Sequence, residues 1–507
     1  MYALTARGMQ YMDEYTISAG IPAPVLMENA AQGLAKAVIE KFPNKDTKIL
    51  VLCGAGNNGG DAIAAGRWLI HSGYTDVQFF FTGTVAKASQ EFTRQATILA
   101  KAYSGIVIEG LKGTYDVEIL RSEYDVIIDG MFGIGMNRPF EENLVRIVKY
   151  INSKNAYKIA VDIPSGLNAT NGMVMGAAIK ADMTITFGCY KTGMLFGAGR
   201  EFCGEVKIID IGLIETGYKN VTDKLTVCDN QYFDEHASKH LIERAESGHK
   251  GTFGTVGIVV SSNGMFGASM LASKAAYRAG CGLVKIFCPA KYIGFFNVSV
   301  PEAVAVPYKS DDVIGAFTDF AKEVDVFLIG PGLSEDAAGR LLIKQILAGK
   351  KPAVLDAGAL NIISKNLKLL RKRKCPCVIT PHLGEMAKLC DNDVNLVAKN
   401  RIGYTTSFSD KFKLSMVVKS DVSLVSINNK KGKQDLYVNI MGNSGLATAG
   451  SGDVLAGVIA SLIAQGNTLD NSLLYGVMIH GRAAEKYATD SNSKRKMMAG
   501  DIVDNIF

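Results

Sequence analysis

The stretch Asn443–Leu462, NSGLATAGSGDVLAGVIASL, combines a Gly-rich turn with a helical segment. A Gly-rich turn, Gly450-Ser451-Gly452-Asp453, comes immediately before apolar residues that recur at the spacing of a helix. The backbone N–H groups of such a turn and the positive end of the helix dipole point at one spot, which suits an anion. Asp453 could accept a proton from a hydroxyl that attacks beside that anion. The same residues also suit an ordinary N-capped helix, because Ser and Asp are common caps.

Length and composition limit the class of protein. At 507 residues the chain is too long for one hydrophobic core, so we expect at least two domains. A net charge of +6 over this length favours neither nucleic acid nor a membrane surface as a partner. The nine cysteines lack metal-site spacing, and neither a secretory signal nor a membrane-spanning apolar run is present. We therefore expect reduced thiols and a cytoplasmic location.

Buried-type strands alternate with helical segments in both halves of the chain, and this predicts an α/β fold with parallel sheets. The alternation stops over a polar stretch near residues 214–250. We place the domain boundary there, with domains at 1–215 and 228–507 and a linker at 216–227. The predicted strands are Lys48–Cys53, Val77–Thr82, Val126–Asp129, Ile159–Ile163, Met183–Phe187, Val206–Ile211, Val256–Val260, Leu283–Phe287, Val326–Ile329, Ala353–Leu355, Val378–Ile379, Met416–Val418, Val422–Ile427 and Asp435–Ile440.

In the first half, oxygen-rich loops follow three predicted strands. Gly54-x-Gly56-x-x-Gly59 satisfies the dinucleotide fingerprint, but the next strand ends at Thr82 without the acidic residue that a Rossmann dehydrogenase needs. The other two loops begin at Asp129 and Asp162. Ligands bind beyond the carboxyl ends of parallel strands, so the three loops could meet at one crevice. Each loop alone could equally be a turn, because Gly, Pro, Asn and Asp are turn residues.

These loops, together with Asp13-x-x-Thr16-Ile17 and Leu26-Met27-Glu28-Asn29-Ala30, resemble the YjeF-type N-terminal domain of the NAD(P)H-hydrate epimerase family over residues 1–215. The resemblance implies a Rossmann-like three-layer sandwich that interconverts the R and S hydrates, with Asp162 as the catalytic residue. It implies a potassium (K+) site at Asn58, Asp129 and Ser165, and hard oxygen ligands suit such a cation. The implied substrate-binding residues are Asn57, Asn58, Gly59, Gly60, Asp61, Gly133, Ile134, Gly135, Met136, Asn137, Arg138, Pro139 and Asp162.

The second half contains no Walker-type phosphate loop. It contains Asn263-Gly264-Met265, Gly330-Pro331-Gly332, Pro381-His382-x-Gly384-Glu385 and the stretch around Asp453. Together these resemble the NAD(P)H-hydrate dehydratase branch of the ribokinase-like α/β fold over residues 228–507.

The resemblance implies nucleotide-dependent dehydration of the S hydrate of NADH or NADPH, with Asp453 as catalytic base and Mg2+ on the phosphates. The phosphoryl donor is ADP or ATP, and fusion of both domains resembles the ADP-using form. Substrate contacts are implied for Ala268, Gly332, His382 and Asp453. Nucleotide contacts are implied for Lys419, Ser420, Asp421, Val422, Ser423, Gly450 and Gly452.

The loop after Lys419 departs from the family pattern, because Ser420 replaces a flexible glycine and Asp421 adds a negative charge near the phosphates. Several residues also have simpler interpretations. His382 could be a turn residue, Asp356 could cap the next helix, and Lys419 could be a solvated strand end.

Two alternative functions stay open from the sequence. The second domain could be a small-molecule kinase of the ribokinase-like class, and the first could be a non-catalytic binding module. The expected partners are small molecules, namely the hydrated dinucleotides and an adenine nucleotide, with no nucleic acid and no membrane. The resemblance further implies a homo-oligomer, a tetramer or larger.

Overall fold

The computed structural model describes residues 1–103, 105–106, 108–110, 120, 122–261, 265–428 and 434–507. The chain divides into two compact units, Met1–Leu225 and Thr226–Phe507. The predicted linker, residues 216–227, includes most of the 3-10 helix Glu215–Asn220 and the beginning of a strand at Leu225. The domain limits 1–215 and 228–507 stay a prediction.

The main sheet of the first unit is parallel at every described pairing, in the order β4-β3-β2-β5-β6-β7-β9. A separate short parallel pair joins β1 to β8. The strands are β1 (Tyr2–Leu4), β2 (Ile49–Cys53), β3 (Val77–Phe81), β4 (Ile108–Glu109), β5 (Val126–Gly130), β6 (Tyr157–Val161), β7 (Met183–Phe187), β8 (Tyr190–Lys191) and β9 (Glu205–Ile209).

Helices cover both faces of this sheet. Consecutive residues of β2 therefore belong to different hydrophobic cores. Val51 packs with Leu34 and Leu69 on one face, and Leu52 packs with Val148 on the other. A strand buried on both faces reads as a continuous apolar run, as ILVLC does. The helices are α1 (Ala6–Ser18), α2 (Ala23–Lys41), α3 (Asn57–His71), α4 (Gln90–Ala102), α5 (Glu142–Ser153), α6 (Thr192–Leu195) and α7 (Gly199–Phe202).

The sheet of the second unit runs in the order β13-β12-β11-β14-β15-β16-β17-β18-β19-β10. Its described pairings are parallel except where β18 lies antiparallel between β17 and β19. The strands are β10 (Leu225–Cys228), β11 (Thr255–Val259), β12 (Leu283–Pro289), β13 (Val304–Tyr308), β14 (Val326–Ile329), β15 (Ala353–Leu355), β16 (Cys377–Ile379), β17 (Ser415–Val418), β18 (Ser423–Asn428) and β19 (Gln434–Asn439).

Two cores again lie on opposite faces of this sheet. Leu328 of β14 packs with Ile459, and its neighbour Phe327 packs with Phe320 on the other side. The helices are α8 (Asn230–His240), α9 (Phe266–Arg278), α10 (Ile293–Ser299), α11 (Val313–Lys322), α12 (Ala337–Ala348), α13 (Ala357–Ser364), α14 (Lys368–Arg371), α15 (Leu383–Cys390), α16 (Val394–Lys399), α17 (Arg401–Phe412), α18 (Ser451–Ala464), α19 (Leu469–Asp490) and α20 (Ala499–Asp504). None of the described helices combines the length and the apolar composition that crossing a bilayer requires.

The predicted α/β fold class is confirmed: each of the two units has a largely parallel sheet with cores on both of its faces. Each strand predicted from the sequence is present to within about two residues. The sequence prediction missed β1, β4, β8, β10 and β13. The strand β13 contains Pro307 and lies at the sheet edge, where a missing N–H is tolerated.

Candidate active sites

A cavity of about 790 Å³ opens in the first unit at the ends of the neighbouring strands β2, β5 and β6. The three oxygen-rich loops therefore meet at one crevice, as their positions at strand ends predict. The loop geometry thus brings most of the predicted substrate residues together. Those on the cavity wall are Asn57, Asn58, Asp61, Gly133, Ile134, Gly135, Met136, Asn137, Arg138, Pro139 and Asp162.

Gly59 and Gly60 do not belong to the residues that line this cavity. A Cβ on Gly59 would lie 1.9 Å from the carbonyl oxygen of Gly54, so only glycine lets helix α3 begin so close to the preceding turn. A Cβ on Gly60 would lie 2.9 Å from Met27 Cε. Packing accounts for both glycines, and their contact with substrate stays a prediction.

Asp162 follows β6 with a φ of 64°, a left-handed conformation that side chains other than Gly, Asn and Asp rarely adopt. Its Oδ1 accepts hydrogen bonds from Lys191 Nζ, from Thr186 Oγ1 at 3.1 Å and from the Phe187 N–H at 3.1 Å. Lys191 is fully buried, and its Nζ also contacts Thr186 Oγ1 at 2.8 Å. A buried carboxylate and ammonium in contact at a cavity wall can pass a proton to and from a ligand.

Two further carboxyl groups surround this pair. The pKa of Asp13 is raised to about 7, chiefly by burial, with Lys191 opposing the rise and the negative charge of Asp162 contributing to it. Burial, followed by the charges of Asp162 and Asp13, also raises the pKa of Asp61 well above its usual range. The wall thus presents three carboxyl groups around one ammonium, and protonated Asp13 or Asp61 could donate to a ligand.

Lys191 was not among the site residues predicted from the sequence, and Asp13 was known only as part of a motif. Lys191 lies in β8, four residues after β7, which is the sheet neighbour of β6. Applying the strand-end rule to this fourth strand would have identified it.

Of the residues of the predicted potassium site, Asn58 lies on the cavity wall, whereas Asp129 and Ser165 are fully buried. Asp129 is fully buried and accepts hydrogen bonds from Ser165 N at 2.8 Å and Ser165 Oγ at 2.6 Å. Burial raises its pKa to about 6. Asn58 lies close to the loop that follows β5. A Cβ on Gly130, the residue after Asp129, would lie 3.0 Å from Asn58 O, and a Cβ on Gly133 would lie 3.1 Å from Asn58 Oδ1. No described lysine or arginine pairs with Asp129, so a monovalent cation would suit this oxygen-rich position.

The predicted base of the second unit lies at the start of helix α18. Gly450 occupies the N-cap with a φ of 89°, and Asp453 is in the first turn. A Cβ on Gly450 would lie 2.5 Å from Leu271 Cδ1, so both the conformation and the packing require glycine. The helix therefore begins as the anion-binding interpretation predicts, with its first N–H groups at the end of a Gly-rich turn.

Lys419 and Asp356 form an ion pair beside this helix start, with Nζ and Oδ1 2.7 Å apart. A Cβ on Gly452 would lie 3.1 Å from Lys419 Nζ and 4.0 Å from Asp356 Oδ2. Asp356 occupies the N-cap position of α13, yet its side chain makes no capping hydrogen bond. The simpler interpretations of Asp356 as a cap and Lys419 as a solvated strand end are therefore wrong.

Asp453 is in an environment that suits a base working near neutral pH. The pKa of Asp453 is raised to about 6, chiefly by burial, with contributions from the charges of Asp356 and Glu385 and an opposing effect of Lys419. Burial and the charge of Asp356 also raise the pKa of Glu385. Glu385 was not among the predicted site residues, although it belongs to the quoted Pro381–Glu385 motif.

His382 follows strand β16 and forms a parallel β-bridge with Lys419, which follows β17. Its Nδ1 accepts hydrogen bonds from the N–H groups of Gly384 at 3.0 Å and Glu385 at 3.2 Å, and so caps α15. With Nδ1 accepting, the neutral ring carries its proton on Nε2. The His382 side chain is 58% exposed, and its Nε2, which lies 3.6 Å from Glu385 Oε1, takes no part in the cap.

The remaining predicted substrate residues lie around helix α9. Ala268 is in its first turn, and a Cβ on Gly332 would lie 3.1 Å from Ser269 Oγ and 3.2 Å from Met265 O. The same helix packs against α18, because Gly457 lies against Ala272. The structure therefore places Ala268 and Gly332 together, on a helix that packs against the one bearing Asp453. Asn263 and Gly264 of the quoted motif lie outside the described residues.

Comparison with known proteins addresses both units. A family model described as YjeF-related protein N-terminus matches residues 23–193, and one described as NAD(P)H-hydrate dehydratase matches residues 256–507. The bifunctional NAD(P)H-hydrate repair enzyme Nnr of Moorella thermoacetica is 32% identical, over 99% of this chain and 96% of the relative. The chain belongs to this family of bifunctional repair enzymes. The family member from Dictyoglomus turgidum is also 32% identical, over 91% of this chain and 89% of the relative.

A solved structure, the ADP/ATP-dependent NAD(P)H-hydrate dehydratase of Bacillus subtilis co-crystallized with ATP/Mg2+, is 28% identical with a TM-score of 0.46. It covers 54% of this chain, and this chain covers 94% of it. Membership of the bifunctional family favours the repair enzyme over the two alternatives, a kinase and a non-catalytic first unit.

Proposed function

We propose that this chain repairs hydrated NADH and NADPH with two separate active sites. The first unit interconverts the R and S hydrates, and the second dehydrates the S hydrate in a reaction that consumes an adenine nucleotide. The observation that supports this most strongly is the full-length match to bifunctional repair enzymes. The geometry of each unit agrees with it, because each places a buried carboxylate at a strand or helix end beside a lysine.

In the first unit, Asp162 and Lys191 handle the proton. Breaking the C–O bond of the hydrate needs a proton on the departing oxygen, and adding water to the opposite face returns that proton. The Asp162–Lys191 pair supplies and recovers it. In this proposal the loop Gly133–Pro139 surrounds the ring and the rest of the dinucleotide, together with the cavity residues Asn57, Asn58 and Asp61.

A potassium ion, when bound, would supply the positive charge that the buried Asp129 lacks among described side chains. Asn58, Asp129 and Ser165 would hold it through their oxygens. Ser165 Oγ donates a hydrogen bond to Asp129. The same oxygen accepts a hydrogen bond from the Phe132 N–H at 2.8 Å and lies 3.2 Å from the Phe132 carbonyl oxygen. This group of contacts links the loops after β5 and β6 and so orients Asp162.

In the second unit, Asp453 accepts the proton of the ring hydroxyl as that oxygen attacks the terminal phosphoryl group of ADP. The P–O bond to AMP breaks, and the N–H groups at the start of α18 stabilise the charge that develops on the phosphoryl oxygens. Phosphate then leaves one ring carbon while a proton leaves the neighbouring carbon. The products are NAD(P)H, AMP and phosphate, and the equation balances.

In this proposal Lys419 belongs to the phosphoryl-donor site, and His382 contacts the hydrated dinucleotide. Lys419 supplies a positive charge beside Gly452, and His382 presents its Nε2–H. Magnesium would arrive with the phosphates and offset their charge. The donor is ADP in this proposal, and ATP is the alternative. A homo-oligomer of four or more copies and a cytoplasmic location are further parts of the proposal.

The test is to incubate the protein with the S hydrate of NADH, magnesium and ADP or ATP, and to follow the absorbance of the dihydronicotinamide ring. We expect the absorbance to return, with one phosphate released for each NADH formed. A phosphorylated dinucleotide that accumulates without recovery of the absorbance would instead establish a kinase.

The pH dependence of dehydration provides an additional prediction. Since Asp453 acts as a base only when deprotonated, and its pKa is about 6, kcat/KM should rise with pH and level off above about pH 7. Below about pH 5 it should fall about tenfold per pH unit. Initial rates at fixed magnesium and ionic strength would show this, and a profile that is flat from about pH 5 to pH 7 would contradict the assigned base.

A further inference from the structure

The turn after Lys419 contains the charge that distinguishes this chain from its family pattern. Asp421 is exposed, and its Oδ1 accepts a hydrogen bond from Arg401 Nη1 at 3.0 Å. The same Nη1 donates to Ser420 Oγ at 2.6 Å. Both residues that depart from the pattern therefore bind one guanidinium group.

Ser420 also links the turn internally. Its Oγ lies 2.7 Å from Asp421 Oδ1 and 2.8 Å from the carbonyl oxygen of Val422. A glycine at position 420 would make neither contact. The substitution thus exchanges a flexible turn for one that is fixed by side-chain hydrogen bonds.

Arg401 begins a helix, and its side chain is buried. It is the first residue of α17, whose N-cap Asn400 accepts from the Gly403 N–H at 3.3 Å. The Arg401 side chain is 4% exposed, whereas that of Asp421 is 37% exposed. A buried guanidinium beneath a partly exposed carboxylate lowers the net negative charge that the turn presents to a ligand.

The turn is also tied to the start of α18. The Lys419 N–H donates to the carbonyl oxygen of Pro381 at 2.8 Å, and Lys419 Nζ lies beside Gly452. Nucleotide phosphates bound at the start of α18 would therefore lie beside the residue that begins the turn, and an unneutralised carboxylate two residues further along the chain would repel them.

We propose that Arg401 is a positioning residue for the phosphoryl donor, which acts by neutralising Asp421 and holding the turn Ser420–Val422. This inference rests on the proposed nucleotide-dependent dehydration. It assigns a role to a residue that binds neither substrate and acts through its neighbours.

The variant Arg401→Met keeps a long apolar side chain and removes the charge. We expect the KM for MgADP to rise about tenfold, with kcat changed less than about twofold and the KM for the hydrate unchanged. The double variant Arg401→Met/Asp421→Asn should recover most of that loss, because no carboxylate is left to neutralise. Arg278→Met, which breaks the exposed ion pair to Asp504, is the matched control and should behave as the wild type.

Calorimetric titration with MgADP separates this inference from the proposed function. If the wild type binds MgADP without dehydrating the hydrate, the proposed function fails, and the ratio of Kd values between wild type and Arg401→Met still tests the inference. A double variant as impaired as the single one, or a fall in kcat with KM unchanged, would overturn the role of Arg401. If Arg401→Met does not fold, Arg401→Lys is the comparison, because it retains the charge. Arg401→Lys should bind MgADP to within about threefold of the wild type. A larger loss of affinity that adding Asp421→Asn does not relieve would overturn the inference.

Discussion

Asp453→Asn is expected to abolish dehydration of the S hydrate while epimerisation continues at the wild-type rate. Asparagine has the size of aspartate but cannot accept the proton of the ring hydroxyl, and loss of a general base costs about 10²- to 10⁴-fold in kcat. Removing a carboxylate whose pKa is raised by burial should not weaken folding. The measurement is the rate of return of the dihydronicotinamide absorbance with saturating MgADP.

The epimerisation rate of the same chain and its MgADP affinity are the controls for Asp453→Asn. Both should be close to wild type, because Asp453 acts at the reacting hydroxyl and the anion-binding N–H groups stay in place. Dehydration within about tenfold of the wild-type rate would show that another group removes the proton.

Asp162→Asn is expected to have the opposite effect, with epimerisation lost by at least about 100-fold and dehydration of the S hydrate unchanged. Asparagine is chosen because the backbone at residue 162 is left-handed, a conformation that asparagine tolerates better than alanine. NMR or chromatography of the R and S hydrates, started from one pure epimer, would give the rate.

Lys191→Met tests the same assignment from the other partner. It removes the ammonium group from a fully buried position, so the proton that Asp162 shares with Lys191 is no longer available. We expect a similar loss of epimerisation. Epimerisation that survives in both variants would instead favour a non-catalytic binding role for the first unit.

The sequence predicted the fold well because the determining signals are local. Parallel strands buried on both faces, such as Ile49–Cys53, read as short apolar runs that end in Gly- or Asp-rich loops. The strands that were missed lack this signal. Leu225–Cys228 is a four-residue strand inside a polar region, and Val304–Tyr308 is an edge strand that contains a proline.

The candidate sites were only partly predictable, because their chemistry depends on residues that are distant in sequence. The strand-end rule located Asp162, but its contact with Lys191 arises from the return of the chain through β7 and β8. Likewise, Asp356 follows β15 and Lys419 follows β17, and their ion pair spans 63 residues of sequence. The partner of Asp421 was equally hidden, since Arg401 begins a helix 20 residues earlier.

In the proposed function, each unit contains a complete and independent active site. The most direct measurement mixes the Asp162→Asn and Asp453→Asn chains with the pure R hydrate of NADH, magnesium and ADP, and follows the absorbance of the dihydronicotinamide ring. We predict that neither variant alone restores the absorbance faster than the uncatalysed rate, and that the mixture restores it fully. A mixture that performs no better than the separate variants would contradict two independent sites.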